Sequence, residues 1–109
     1  MRVWLDDERD PTDPKIQELF GAVGDEVWVK TVSEALEFLR GGEVESISLD
    51  NDLGLNQEEG YKVADWIEEK AHEGRLLPLD VFIHSANSAR RSSMKMATQN
   101  AITFWVRNH

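Results

Sequence analysis

Apolar residues in this chain fall into two patterns. Short bursts of three or four end at polar or charged clusters, and between them apolar side chains recur every three or four positions. The bursts predict strands at 2–5, 26–30, 46–49 and 80–83, and the longer-period stretches predict helices. Asp13-Pro14 starts the first helix, an Asx cap followed by proline at the first helical position. Ile16, Leu19, Phe20 and Val23 form its expected buried stripe, and Gly21 and Gly24 end it. Thr31-Val32-Ser33-Glu34 has the capping-box pattern, with Val32, Leu36 and Leu39 following at helical spacing. Residues 58–73 carry Gly60, Val63, Ala64, Ile67 and Ala71 along one side and close at Gly74. Ser88 is placed to cap a last helix whose stripe is Met94, Ala97, Ala101 and Phe104 or Trp105. Within it, 102–106 is rich enough in β-branched and aromatic residues to suit a fifth strand. No turn signal precedes that segment, which favours helix.

The order βαβαβαβα, with connections long enough for crossover helices, predicts an α/β fold. It is a doubly wound, mainly parallel sheet of four strands, or five, flanked by helices. The strands read as too apolar to leave a face exposed. At 109 residues the chain is a single domain, 1–109, with no internal repeat or linker.

Three polar clusters follow strands: Asp6-Asp7-Glu8-Arg9, Asp50-Asn51-Asp52-Leu53-Gly54 and His84-Ser85-Ala86-Asn87. If the strands are parallel neighbours, all three converge at the carboxyl edge of the sheet, where open α/β sheets bind ligands. Carboxylates from two strand ends repel one another unless a cation lies among them. Mg²⁺ or Mn²⁺ suits an all-oxygen set completed by water or phosphate. Asp6, Asp7 and Asp50 are the candidate metal ligands, with Asp52 contributing its side chain or its carbonyl. His84, with its imidazole, is the candidate for proton transfer, while Ser85, Asn87 and Arg90 are candidates to hold phosphate oxygens. Arg91 reads as a ligand contact or an exposed residue, and Arg9 as a ligand contact or a partner for Glu8 and Asp6. Tyr61 is a candidate base or ribose contact, whereas Trp4, Trp66 and Phe82 are expected in the core. The plainer alternative is that the Asp pairs turn and cap the chain and that His84 is a hydrogen-bonded strand terminus.

A net charge of −9, from 21 acidic and 12 basic residues, argues against general binding of duplex nucleic acid. It leaves room for a small anion bridged by a divalent ion. The chain has no cysteine and no apolar run near the roughly 20 residues of a membrane span. The expectation is a cytoplasmic protein that does not enter membranes.

Asp6-Asp7, Asp50 and Ser85 resemble the receiver domain of two-component response regulators, in which an acidic pair and a phospho-accepting aspartate bind Mg²⁺ and a hydroxyl contacts the phosphoryl group. The lysine that closes strand five in receivers has no counterpart here. The longer strings Trp4-Leu5-Asp6-Asp7-Glu8-Arg9, Ser48-Leu49-Asp50-Asn51-Asp52-Leu53-Gly54, Gly60-Tyr61 and His84-Ser85-Ala86-Asn87 are more specifically similar to the cyclic-phosphate processing receiver-like family, often phage or bacterial. Two positions depart from that family's pattern: Asn51 stands where a histidine is common, and Ser88 where proline is common. The resemblance implies Mg²⁺-dependent binding and hydrolysis of a nucleotide cyclic or terminal phosphate, with His84 and Asp50 catalytic. The partner would be a small nucleotide or an RNA-end phosphate. Two alternatives use the same residues: sequestration without turnover, and a signalling module that accepts a phosphoryl group on Asp50 or docks a protein partner.

Overall fold

A computed structural model describes residues 1–108 of the chain. The elements alternate strictly: β1 (Arg2–Leu5), α1 (Pro14–Phe20), β2 (Val27–Val29), α2 (Val32–Arg40), β3 (Ser46–Leu49), α3 (Tyr61–His72), β4 (Asp80–Ile83) and α4 (Ser88–Asn108). The four strands form one parallel sheet in the order β2-β1-β3-β4, a receiver (flavodoxin-like) arrangement. Parallel neighbours need crossover connections, and the helices supply them.

Local chemistry explains the helix boundaries. Asp13, just before Pro14, accepts from the Lys15 amide; Thr31 Oγ1 accepts from the Glu34 amide at 3.2 Å, while the Glu34 carboxylate accepts from the Thr31 hydroxyl at 3.1 Å and from the Lys30 amide at 3.3 Å. Residues 102–106 lie within α4, so the fifth strand is not formed. α4 packs along α3, buries Met94, Ala97, Ala101 and Trp105, and is tied down by Trp105 Nε1 donating to the Leu76 carbonyl at 3.0 Å.

The core lies on one side of the sheet. Val3, Leu5, Ile47 and Leu49 pack there with Val32, Leu39, Val63, Ile67 and Met94 from the helices. On the other side, Trp4 and Ser48 are buried but Ser46 and Phe82 have only partial cover, and with α1's Phe20 these residues border a hollow of 240 Å³. This corrects three expectations. The strands do leave a face partly open, because Ser46 and Ser48 alternate with Ile47 and Leu49. Phe82 is 59% exposed rather than core, and α1 buries no residue, with Leu19 71% and Val23 60% exposed. The spacing of Leu19 and Val23 defines a stripe, but at seven residues α1 is too short to bring both onto the sheet.

Candidate metal and phosphate site

Strand register brings the polar clusters together. Leu5, Leu49 and Ile83 are level across β1, β3 and β4, and each strand's ladder continues one residue further. The Asp50 amide donates to the Leu5 carbonyl at 2.9 Å, and the His84 amide donates to the Leu49 carbonyl at 3.0 Å. Asp6, Asp50 and His84 therefore stand in a row at the carboxyl edge.

Asp6 is fully buried and saturated with partners. Its Oδ1 accepts from the amides of Glu8 (2.9 Å) and Arg9 (3.0 Å). Its Oδ2 meets His84 Nε2 at 3.0 Å and Arg9 Nη1 at 3.3 Å. The same Arg9 nitrogen is 3.6 Å from Asp50 Oδ2, so one guanidinium spans both acids while resting over the Phe20 ring at 4.3 Å. Asp6, Asp7 and Asp50 each offer a carboxylate oxygen within 4.8 Å of the others. The half-exposed Asp7 opens this cluster onto a hollow of 260 Å³, also lined by Glu8, Arg9, Asp50, Asp52 and Ala86. Three carboxylates at this spacing suit an oxygen-preferring divalent ion.

The two buried acids titrate in opposite directions. Burial pushes the Asp50 carboxyl up, and the Asp6 charge adds to that, against smaller opposing contributions from the Asn51 amide, His84 and Arg9. Burial also pushes Asp6 up, but its bond to His84 and the amides of Arg9 and Glu8 together outweigh this and hold the carboxyl below its usual range.

His84 is buried, stacked on Trp4 with ring centroids 3.9 Å apart, and both its nitrogens are engaged. With Asp6 ionised, Nε2 donates to it, and Nδ1 pairs with the Ser48 hydroxyl at 2.7 Å. Ser85 is buried, and its Oγ accepts from the Asn87 amide at 3.1 Å. Asn87, rather than Ser88, caps α4: its Oδ1 accepts from the Arg90 amide at 3.1 Å. Arg90 lies 4.3 Å over the Tyr61 ring with Nε 3.6 Å from Glu59, so the ring considered for a base contact already carries a guanidinium. Asp52 lines the hollow but stands outside the three-carboxylate cluster, its Oδ1 accepting from Asn51 Nδ2 at 3.2 Å.

The structural roles of the buried Asn51 and of the close approach at Gly60 are absent from the sequence reading of the site. Asn51 Nδ2 donates to Glu59 at 3.0 Å and its Oδ1 accepts from the Tyr61 amide at 3.0 Å, fastening the loop after Asp50 to the start of α3. A side chain at Gly60 would collide with the Asp50 carbonyl oxygen. The Asp-Asn-Asp string carries a signal for neither feature. The double contact of Arg9 does have one, its position three residues after Asp6.

Compared with known families, residues 1–100 match the profile of the cyclic-phosphate processing receiver domain. The chain belongs to this family. Neither the curated proteins nor the solved structures contain a significant match to it. As a cyclic-phosphate processing receiver domain it keeps the acidic cluster at the mouth of β1 and β3 but ends in one long helix after β4. No described helix is long and apolar enough to cross a membrane.

Proposed function

We infer that this domain binds the cyclic or terminal phosphate of a nucleotide beside a divalent ion, Mg²⁺ or Mn²⁺, and hydrolyses the ester. The observation carrying this reading is the convergence of Asp6, Asp7 and Asp50 within 4.8 Å in a chain of the cyclic-phosphate processing family. Asp6, Asp7 and Asp50 hold the ion, with Asp52 at the rim of the same hollow. When bound, such an ion neutralises charge on phosphate oxygens and lowers the pKa of water.

The chain's own groups divide the remaining work. Ser85, Asn87 and Arg90 hold the phosphate at the start of α4, where helix amides favour anions. Hydrolysis adds water at phosphorus, breaks one P–O ester bond and returns a proton to the departing sugar oxygen. Asp50 stays ionised to hold the ion, so the proton returned to the sugar oxygen is the one given up by the water that adds at phosphorus, and His84 acts through Asp6, which it orients and keeps ionised. The acidic hollow, at 260 Å³, is the place for the ion and the phosphate. The nucleoside occupies the adjoining 420 Å³ hollow, which shares Ala86 and is bordered by Leu19, Phe20, Ser85 and Arg91.

The deciding experiment screens 2′,3′-cyclic nucleotides, 3′,5′-cyclic nucleotides and cyclic-phosphate RNA ends with Mg²⁺ or Mn²⁺, scoring thermal shift and product together. Product formation lost in Asp50→Asn is the expected result. Stabilisation without product would leave a binding domain, and no response to any member would reject the reading. The signalling alternative is favoured by the position of Asp50 at the end of β3, lining the hollow. It requires a mass gain of one phosphoryl group from a small phosphodonor, absent in Asp50→Asn.

A further inference from the structure

At the opposite end of the sheet, the carboxyl ends of α2 and α3 enclose a second hollow of 420 Å³, within the size range of small-molecule sites, roughly 300–1,000 Å³. Its floor is apolar, built from Leu39, Trp66 and Leu76, and Leu77 forms a lip that is 74% exposed. Arg40, Lys70 and Arg75 stand on its wall, and no carboxylate does. In a chain with 21 acidic and 12 basic residues this is a local reversal of sign.

Part of that reversal has a structural reason. Each helix carboxyl end carries about half a negative charge, which attracts basic residues to the last turn. Glu73 supplies one more charge, 3.3 Å from Lys70 Nζ and 3.7 Å from Arg75 Nε. Two helix ends and one carboxylate offset about two of the three cations. That leaves a net charge of about +1 shared by the three, and Arg40, countered only by its own helix end, has no carboxylate within ion-pair distance among the described residues. Its guanidinium lies 5.9 Å from the Trp66 ring, looser than the 4.3 Å of Arg9 on Phe20 and of Arg90 on Tyr61. Near the end of α3 the carbonyls of Glu69, Lys70 and Ala71 are already taken by the amides of Glu73, Arg75 and Gly74.

We propose that this hollow is a second ligand site, independent of the acidic edge, for a small monoanion with a flat apolar body. The body lies on Trp66 and Leu76, and the carboxylate pairs with Arg40 at the rim. One uncompensated positive charge matches a carboxylate better than a phosphate dianion.

The test is calorimetric titration of the full chain with 2-naphthoate, its neutral analogue 2-naphthalenemethanol and 2-naphthyl phosphate, in EDTA so that no divalent ion engages the acidic edge. Saturable one-to-one binding of naphthoate is expected, weaker binding of the alcohol, and amide shifts centred on Trp66 and Leu77 in ¹H–¹⁵N spectra. Arg40→Gln, at an exposed position that leaves the fold intact, weakens naphthoate about tenfold and leaves the alcohol unchanged. Naphthyl phosphate binding more tightly than naphthoate would overturn the choice of a monoanion. Absence of saturable binding, equal affinity for the alcohol, or no effect of Arg40→Gln would overturn the site.

Discussion

Asp6 and Asp50 are the same chemical group at the same level of adjacent strands, yet their environments push them apart. Asp50 has its carboxyl raised by burial and by the Asp6 charge, so the metal-free folded protein holds that proton more tightly than the unfolded chain does. Its favourable contribution is present at low pH and is lost as pH rises through the raised folded value. Asp6 has the opposite sign: its contribution is present above the unfolded value and is lost as pH falls through the lowered folded one. Asp50→Asn is therefore expected to raise the metal-free melting temperature at pH 7 by a few degrees, on the scale of about 1 kcal/mol. It also removes the stabilisation that Mg²⁺ gives the wild type, read in paired melts with EDTA and with excess metal. Because an ion binds the ionised carboxylate, calorimetry in buffers of different ionisation heat should show proton release that grows as pH is lowered toward the Asp50 value. The candidate ligands were legible because two acidic pairs end neighbouring apolar bursts, whereas either pair alone reads as well as turn and cap residues. The engagement of both His84 nitrogens was not, since Ser48 and Trp4 read as ordinary strand residues.

Among the elements, the segment between β3 and α3 fixes the site most directly. Asn51 bridges Asp52, Glu59 and the Tyr61 amide, Gly54 takes φ of +107° beside Asp7, and the Gly60 amide donates to the Asn51 carbonyl at 2.8 Å. Gly60→Ala forces a methyl group against the Asp50 carbonyl. It is expected to cost about 1–3 kcal/mol, measured from urea midpoints, and to weaken divalent binding by moving Asp50. Caps and helix starts were readable from Asp13-Pro14 and Thr31–Glu34 because they depend on neighbours in sequence. Exposure of Phe82, Leu19 and Val23 was not readable, because apolar spacing marks a face without saying whether another element covers it.

Across the whole molecule, the parallel strand order explains why three separated clusters meet, and that much follows from the alternation of bursts and helical stretches. The direction taken by the last 20 or so residues depends on tertiary packing against α3, which local propensity does not encode. Charge is unevenly spread: α4 carries Arg90, Arg91, Lys95 and Arg107 and no acid, leaving the rest of the chain more negative than the total of −9. That field draws small cations toward the acidic edge, so the dissociation constant for Mg²⁺ should rise with added NaCl in calorimetric titrations.

An ion arriving at this edge finds the place already taken by Arg9, whose guanidinium reaches Asp6 and Asp50 together. Titration with Mg²⁺ then reports a contest between two cations, and the measured affinity understates how strongly the carboxylates alone would grip the metal. Arg9→Met should shift both quantities at once, giving a less stable apo-protein and tighter Mg²⁺ uptake. Under the proposed function, an ion at the three carboxylates would free the Arg9 side chain beside the hollow, coupling metal uptake to phosphate binding.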